Sequence, residues 1–329
     1  MINILSLKTS QLSKKTIEKI LKLKDSHWKK GMISQTNFFN KNISKNDIHI
    51  MLLLKNKLWP EVGTGIDYSL LQDKWIPAPW INLGDWSVTE DYREACHQLA
   101  FRLGDCLELK ADDRLLELAC GYGAGLRLWS ESFGVQHCDA LEYRRECHDF
   151  IESDPPSNLD ELIKMRAEDF FSSVLSRQCK GKAGYDAIVC VDAAYHFDSL
   201  RDLFKASRIL LKPGGRIGFH LFCLNSQKPL AGWLRKLFEL AEVDSREFRN
   251  EEDLIREAQE EEFEKVEVVD MTVQVLGGFA SFVKRRSVQL GFREKLKPAW
   301  WKIRATAWLG NKVMRKGWLK FIMLQASAR

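Results

Sequence analysis

Apolar positions keep two rhythms along the middle of the chain. At Ala95, Leu99, Ala100, Leu103 and Leu107 they recur at helical spacing, which predicts an amphipathic helix over 91–109. Short apolar runs bounded by turn residues follow at 114–119, 137–141, 185–191 and 216–223, each the length of a strand. Between them 144–151 and 200–210 read as helices, as does 159–164, with a short strand just before Ala167. Strands alternating with helices in this way predict a parallel sheet covered on both faces.

The flanks break the alternation. Residues 224–264 interrupt it with helical segments near 231–241 and 251–261, a strand follows at 266–272, and 277–316 is basic and helical before a last strand at 319–326. Upstream, 61–92 is rich in Trp, Gly and Pro and reads as a structured loop. The expected organisation is an N-terminal extension over 1–60 and one domain over 61–329, with cap insertions at about 224–264 and 277–316.

Composition bounds the class. With 329 residues, 45% hydrophobic and 29% charged, the chain can bury a sizeable core. No apolar run reaches the roughly 18 residues of a membrane-spanning helix. The first residues lack the basic start and long apolar core of a secretory leader. Eight scattered cysteines without a CxxC pair fit reduced core thiols, so neither a disulfide framework nor a bound metal is expected. The expected location is the cytoplasm, with peripheral membrane contact left open.

Charge changes the picture at the two ends. Residues 1–60 carry a net +9 and residues 284–329 a net +12, while the whole chain is only +5, so the body between them is acidic. That profile argues against a dedicated nucleic-acid domain and suggests that the ends meet something anionic or pack on the body.

The candidate chemistry centres on 115–125, Leu-Leu-Glu-Leu-Ala-Cys-Gly-Tyr-Gly-Ala-Gly. A strand carrying one acid, Glu117, breaks into Gly121, Gly123 and Gly125 and runs straight into a helix. Such a turn lets the backbone approach an adenosine-type cofactor at the helix N-terminus. Three further signals accompany it: Glu142 closing the second strand, Ala167-Glu168-Asp169, and Leu210-Leu-Lys-Pro-Gly-Gly-Arg-Ile217.

Together these motifs resemble the class I S-adenosylmethionine-dependent methyltransferases, over roughly 80–328. The resemblance implies an α/β fold, a doubly wound, seven-stranded Rossmann-like sheet with helical cap insertions, and S-adenosylmethionine as cofactor. It implies that Glu117 and the three glycines meet the methionine end of the cofactor, that Glu142 takes the ribose hydroxyls, and that Tyr143 flanks the adenine. Glu168 or Asp169 would take the adenine amine, unless both merely cap the following helix. Val191 and the Asp192-Ala-Ala-Tyr195-His196-Phe stretch would lie at the reacting sulfonium, with Asp192 and His196 as catalytic candidates. His196 suits proton removal from a hydroxyl acceptor, or it shapes the pocket. His220 reads as a structural histidine. The 81–86 stretch resembles the element that folds over the cofactor in small-molecule family members, although Asp85 replaces its usual tyrosine.

Trp86, Tyr195, Trp300 and Trp301 are candidate acceptor or cap contacts. The basic, tryptophan-bearing segment 284–320 fits either a membrane-surface helix or a cap helix with its tryptophans turned inward. The expected function is methyl transfer to a small, apolar or lipid-like acceptor, O- ahead of N-methylation, and the partner is that small molecule rather than nucleic acid. Two alternatives stand beside it: a non-catalytic membrane- or partner-binding protein on the same scaffold, and an RNA methyltransferase.

Overall fold

The computed structural model describes residues 67–72, 78–177, 184–225, 230–240 and 243–329, all within the compact unit Met51–Arg329. The basic stretch 1–60 lies outside the described residues. Seven strands form one sheet: β1 (Arg114–Leu118), β2 (His137–Leu141), β3 (Leu159–Ile163), β4 (Tyr185–Cys190), β5 (Leu211–Leu224), β6 (Phe263–Asp270) and β7 (Leu319–Ala328). Their order is β3-β2-β1-β4-β5-β7-β6. Pairing is parallel from β3 through β5, and β7 runs antiparallel between β5 and β6. β1 and β4 lie side by side inside the sheet, which is why both read as continuous apolar runs.

The helices follow from the 3.6-residue rhythm. The α-helices are α1 (Tyr92–Cys106), α2 (Ala124–Phe133), α3 (Arg145–Ser153), α4 (Ala167–Arg177), α5 (Leu200–Leu210), α6 (Gly232–Leu240), α7 (Glu251–Glu260), α8 (Gly278–Gln289), a single turn α9 (Phe292–Lys295) and α10 (Pro298–Arg315), and short helical turns lie at Tyr68–Leu70, Ala194–His196 and Val273–Gly277. Side-chain oxygens start several of them. Asp91 accepts from the Glu94 N–H at 3.0 Å, Ser199 from the Asp202 N–H at 3.1 Å and Asn250 from the Asp253 N–H at 2.9 Å.

One face of the sheet is covered by α4, α5 and α7. Phe171, Val174, Leu203, Phe204, Leu254 and Ala258 bury there against Leu116, Ile188, Phe219 and Ile322. The second half of the 224–264 interruption, α7, is therefore one of the sheet's own packing helices. α1 lies on the opposite face, where Leu103 and Leu107 press on Gly218 of β5.

Two sequence readings change. Residues 159–164 are the edge strand β3, not a helix: Leu-Asp-Glu-Leu-Ile looks helical because β3 pairs with β2 alone and leaves Asp160 and Glu161 in solvent. β5 begins at Leu211 rather than 216, because the Pro213-Gly214-Gly215 turn is absorbed where the β4–β5 register shifts between Tyr185 and Ala187.

The segment 78–86 is fastened to α8. Trp86 stacks on Phe282 with ring centroids 4.6 Å apart, and a Cβ on Gly278 would overlap that of Trp86. Gly278→Ala should lower stability by about 1–3 kcal/mol through this clash, although alanine is the better helix former. Urea denaturation checks it, and unchanged stability would mean that the loop yields to the extra methyl.

Candidate active site

The turn after β1 is built around a buried acid. Gly121 and Gly123 take left-handed backbone conformations (φ 60° and 78°), bending the chain from strand into α2. Gly125 serves a different need: any Cβ there would overlap the Glu117 carboxylate. Glu117 accepts from the Trp129 indole N–H at 2.8 Å. Burial lifts its pKa to about 8, the indole bond opposes the rise and the nearby Glu142 adds to it. Glu117 is therefore a neutral acid at neutral pH, locking β1 to α2.

At the end of β2, Glu142 is buried and its oxygens are fully engaged. Oε2 accepts from the Gly121 N–H at 2.9 Å and Arg144 Nη2 at 3.0 Å, and Oε1 accepts from the Arg144 backbone N–H at 2.9 Å and its Nε at 3.0 Å. Next to it Tyr143 is exposed, with the Arg166 guanidinium 5.1 Å above its ring.

The end of β4 carries the third group. Asp192 has a left-handed backbone (φ 53°) and a buried carboxylate. Oδ2 accepts from the Leu83 N–H at 2.6 Å and Oδ1 from the Tyr195 hydroxyl at 2.8 Å. Burial raises its pKa to about 7, against the pull of those two bonds. Beneath it, His220 Nδ1 accepts from the Asp192 N–H at 3.4 Å, and burial holds this histidine neutral with a pKa near 3. His220 thus supports the turn from inside. His196 ends the short turn Ala194–His196 on the exposed side, its ring 4.6 Å from that of Tyr195.

The loop before α1 roofs these groups. Its path is held by Asn82 Nδ2 on the Cys96 carbonyl (3.2 Å), the Tyr92 hydroxyl on the Asn82 carbonyl (2.9 Å) and Trp86 Nε1 on the Leu83 carbonyl (2.8 Å). Between roof and glycine turn runs a narrow cleft of about 30 Å³, lined by Pro79, Trp80, Ile81, Asn82, Glu117, Cys120, Gly121, Tyr122, Gly125 and Val191 among others.

The cleft therefore brings together Glu117, Gly121, Gly125 and Val191, with Gly123 in the same turn. Glu142 reaches it through the Gly121 N–H, and Asp192 through the roof. Other predicted residues stand elsewhere. Glu168 pairs with Arg166 at 3.2 Å and, in the first turn of α4, lines a groove between α4 and α5, while Asp169 is exposed. Trp300 is fully buried in α10, Trp301 lies half-buried under Arg304, and Trp86 is stacked on α8. Tyr195 packs on Phe222, which leads to Phe238 of α6. Tyr122 was missed as a lining residue, and its place between two turn glycines was the available signal. Asp85, the departure from the family's loop, is buried and paired with Arg102 at 3.1 Å.

The methyltransferase-domain family matches residues 88–268, more than half of the chain, from just before α1 into β6. The chain belongs to this family of class I methyltransferases. Its cofactor is S-adenosylmethionine. Solved structures agree in fold at low identity. Phosphoethanolamine N-methyltransferase 2 of Haemonchus contortus, in complex with phosphomonomethylethanolamine and S-adenosylhomocysteine, matches with a TM-score of 0.60 at 13% identity, over 87% of this chain and 60% of that one. The cyclopropane synthase MmaA2 of Mycobacterium tuberculosis matches with a TM-score of 0.60 at 16% identity, over 79% and 93%. Geranyl diphosphate C-methyltransferase of Streptomyces coelicolor A3(2) matches with a TM-score of 0.55 at 16% identity, over 80% and 94%. No curated protein sequence matches the chain significantly.

Glu117 makes the methyltransferase's stability depend on pH. Its folded pKa of about 8 lies above the unfolded value of about 4.5, so the acid costs nothing below pH 4.5 and opposes folding increasingly up to pH 8. Glu117→Gln keeps an acceptor for Trp129 and removes that cost. The variant should gain on the order of 2–4 kcal/mol over the native protein at pH 8, a gain that fades toward pH 4.5. Thermal unfolding at both pH values tests this, and a pH-independent difference would show Glu117 ionising normally.

Proposed function

We propose that this methyltransferase acts on a small, apolar or lipid-like acceptor, with a hydroxyl favoured over an amine. The observation that carries the reading is the roof: Leu83 bonded to Asp192 closes the end of β4 under a short loop, leaving a narrow cleft instead of an open groove. A polymer such as RNA would need that loop lifted away.

The cofactor would supply a methyl group already activated by its sulfonium charge. The chain has to hold it, align the acceptor and exclude water. The glycine turn lets the cofactor's carboxylate come close to the first N–H groups of α2, which would donate to it. Glu142 offers its two oxygens to the ribose diol once Arg144 swings aside. Tyr143 would flank the adenine, and either Glu168 or Asp169 would reach its amine only by a change from the pairing described above. Asp192 presents a buried carboxylate beside the sulfonium position, with Val191 lining the same wall. His196, at the open side of Tyr195, would accept the hydroxyl proton of an acceptor that reaches that side. Trp86, Trp300 and Trp301 support the reading as parts of the cap, Trp86 and Trp300 by fixing its packing.

Amine methylation is the second reading, favoured by one observation: Asp192, a carboxylate in an apolar wall, would attract a cationic acceptor as readily as a sulfonium.

Two variants divide the roles. Glu142→Ala should weaken S-adenosylhomocysteine binding by about 1–3 kcal/mol in isothermal titration, since buried hydrogen-bonding groups are stranded. Full affinity would place the ribose elsewhere. His196→Ala should cut turnover by about 10²–10⁴-fold while leaving cofactor affinity intact, and an unchanged rate would remove it as a base. Labelled cofactor added to cell extract should give a product that partitions into organic solvent; label on RNA would reverse the acceptor assignment, and no cofactor binding at all would leave only a scaffold role.

A further inference from the structure

The hairpin formed by α8 and α10 ends in a tip whose chemistry differs from the rest of the surface. Along the hairpin, apolar residues turn inward: Phe279, Phe282, Val283, Trp300, Ile303 and Leu309 are all buried. At the tip they turn outward. Val288, Phe292 and Leu296 are 82%, 56% and 48% exposed. Among the described residues eight large hydrophobic side chains are exposed, and these three fall within nine consecutive positions. Phe292 and Leu296 stand one turn apart, on the same side of α9.

Cations surround this cluster. Lys284, Arg285, Arg293 and Lys297 are exposed beside it, Arg285 sharing a 3.6 Å ion pair with Glu90. Glu294 is the only acidic residue between 284 and 329, against thirteen Lys and Arg. Along α10 the half-buried Trp301 and Trp308 each lie under a cation, Arg304 at 5.2 Å and Lys312 at 4.7 Å. Aliphatic stems and indole rings are thus grouped with positive heads, the arrangement that suits a boundary between water and hydrocarbon.

We propose that the tip of the α8–α10 hairpin docks on an anionic lipid surface. No helix among the described residues is long and apolar enough to cross a membrane, so the contact is peripheral. Val288, Phe292 and Leu296 enter the headgroup layer while the flanking cations meet lipid phosphates. Charge complementarity selects this occupant. A nucleic acid would use the cations and leave three apolar side chains in water, whereas a fluid anionic layer takes both. The proposal does not depend on which acceptor is methylated.

The test is co-sedimentation of the full chain with vesicles of phosphatidylcholine alone and of phosphatidylcholine mixed with phosphatidylglycerol. Binding should appear with the mixed vesicles, weaken as salt is raised, and be slight on phosphatidylcholine. The double variant Phe292→Ser/Leu296→Ser should bind the mixed vesicles at least about tenfold more weakly, with unchanged thermal unfolding and S-adenosylhomocysteine affinity. Those last two measurements separate a lost surface from a lost fold, and they remain informative if no acceptor is ever methylated. The proposal is overturned if mixed vesicles fail to sediment the protein at low salt, or if the double variant binds them equally well. It is also overturned if only tRNA is bound, or if the variant's sole effect is to split a dimer in solution.

Discussion

The Glu117 carboxyl is the constraint on which the site depends. It sits between β1 and α2, almost wholly buried. Because it fills the space over α2, position 125 can carry no side chain, and the helix starts close against the strand. The indole of Trp129 satisfies it from one turn further on. A residue that resembles a ligand contact in sequence is thus first a packing element, and the shape of the glycine turn is inherited from it. The cofactor cleft exists because a neutral acid and an absent side chain share one small volume.

A second buried carboxylate, Asp192, ties distant chain together. Leu83 and Asp192 are 109 positions apart, yet a 2.6 Å bond joins the roof to the end of β4. Burial lifts both acids, Glu117 against a single indole donor and Asp192, to about 7, against an amide and a phenol. Asp192 therefore stands close to its titration point near neutral pH. Any cation arriving beside it favours the ionised form, and that form in turn tightens both the roof and Tyr195.

Much of the fold was legible because buried parallel strands announce themselves. β1, β2, β4 and the core of β5 are apolar runs ended by turn residues, and their positions follow directly. β3 was not, since an edge strand has one neighbour and one wet side, and Leu-Asp-Glu-Leu-Ile satisfies a helix equally well. In the candidate site, the resemblance to the family's motifs singled out the glycines, Glu142 and Asp192, and they stand at the carboxyl ends of β1, β2 and β4. The grip of Arg144 on Glu142 was not legible, because a side chain two residues away leaves no periodic trace. For Glu168 the resemblance offers the adenine amine, shared with Asp169, or a place capping the next helix, and its side chain pairs with Arg166 at the start of α4.

The cap was the least legible part, for a physical reason. Sheet and helices of the core must satisfy each other, so their sequence carries strong periodic constraints. α8, α9 and α10 pack on one another, on the helical turn Val273–Gly277, on β7 and on the loop at Trp86, where many sequences would serve. What distinguishes such a region is the departure from good packing economy. Burying Trp300 and Ile303 while leaving Phe292 and Leu296 in water is not what stability alone would select. A surface that keeps apolar side chains outside a competent core, within a ring of cations and almost without acids, is shaped by something it meets.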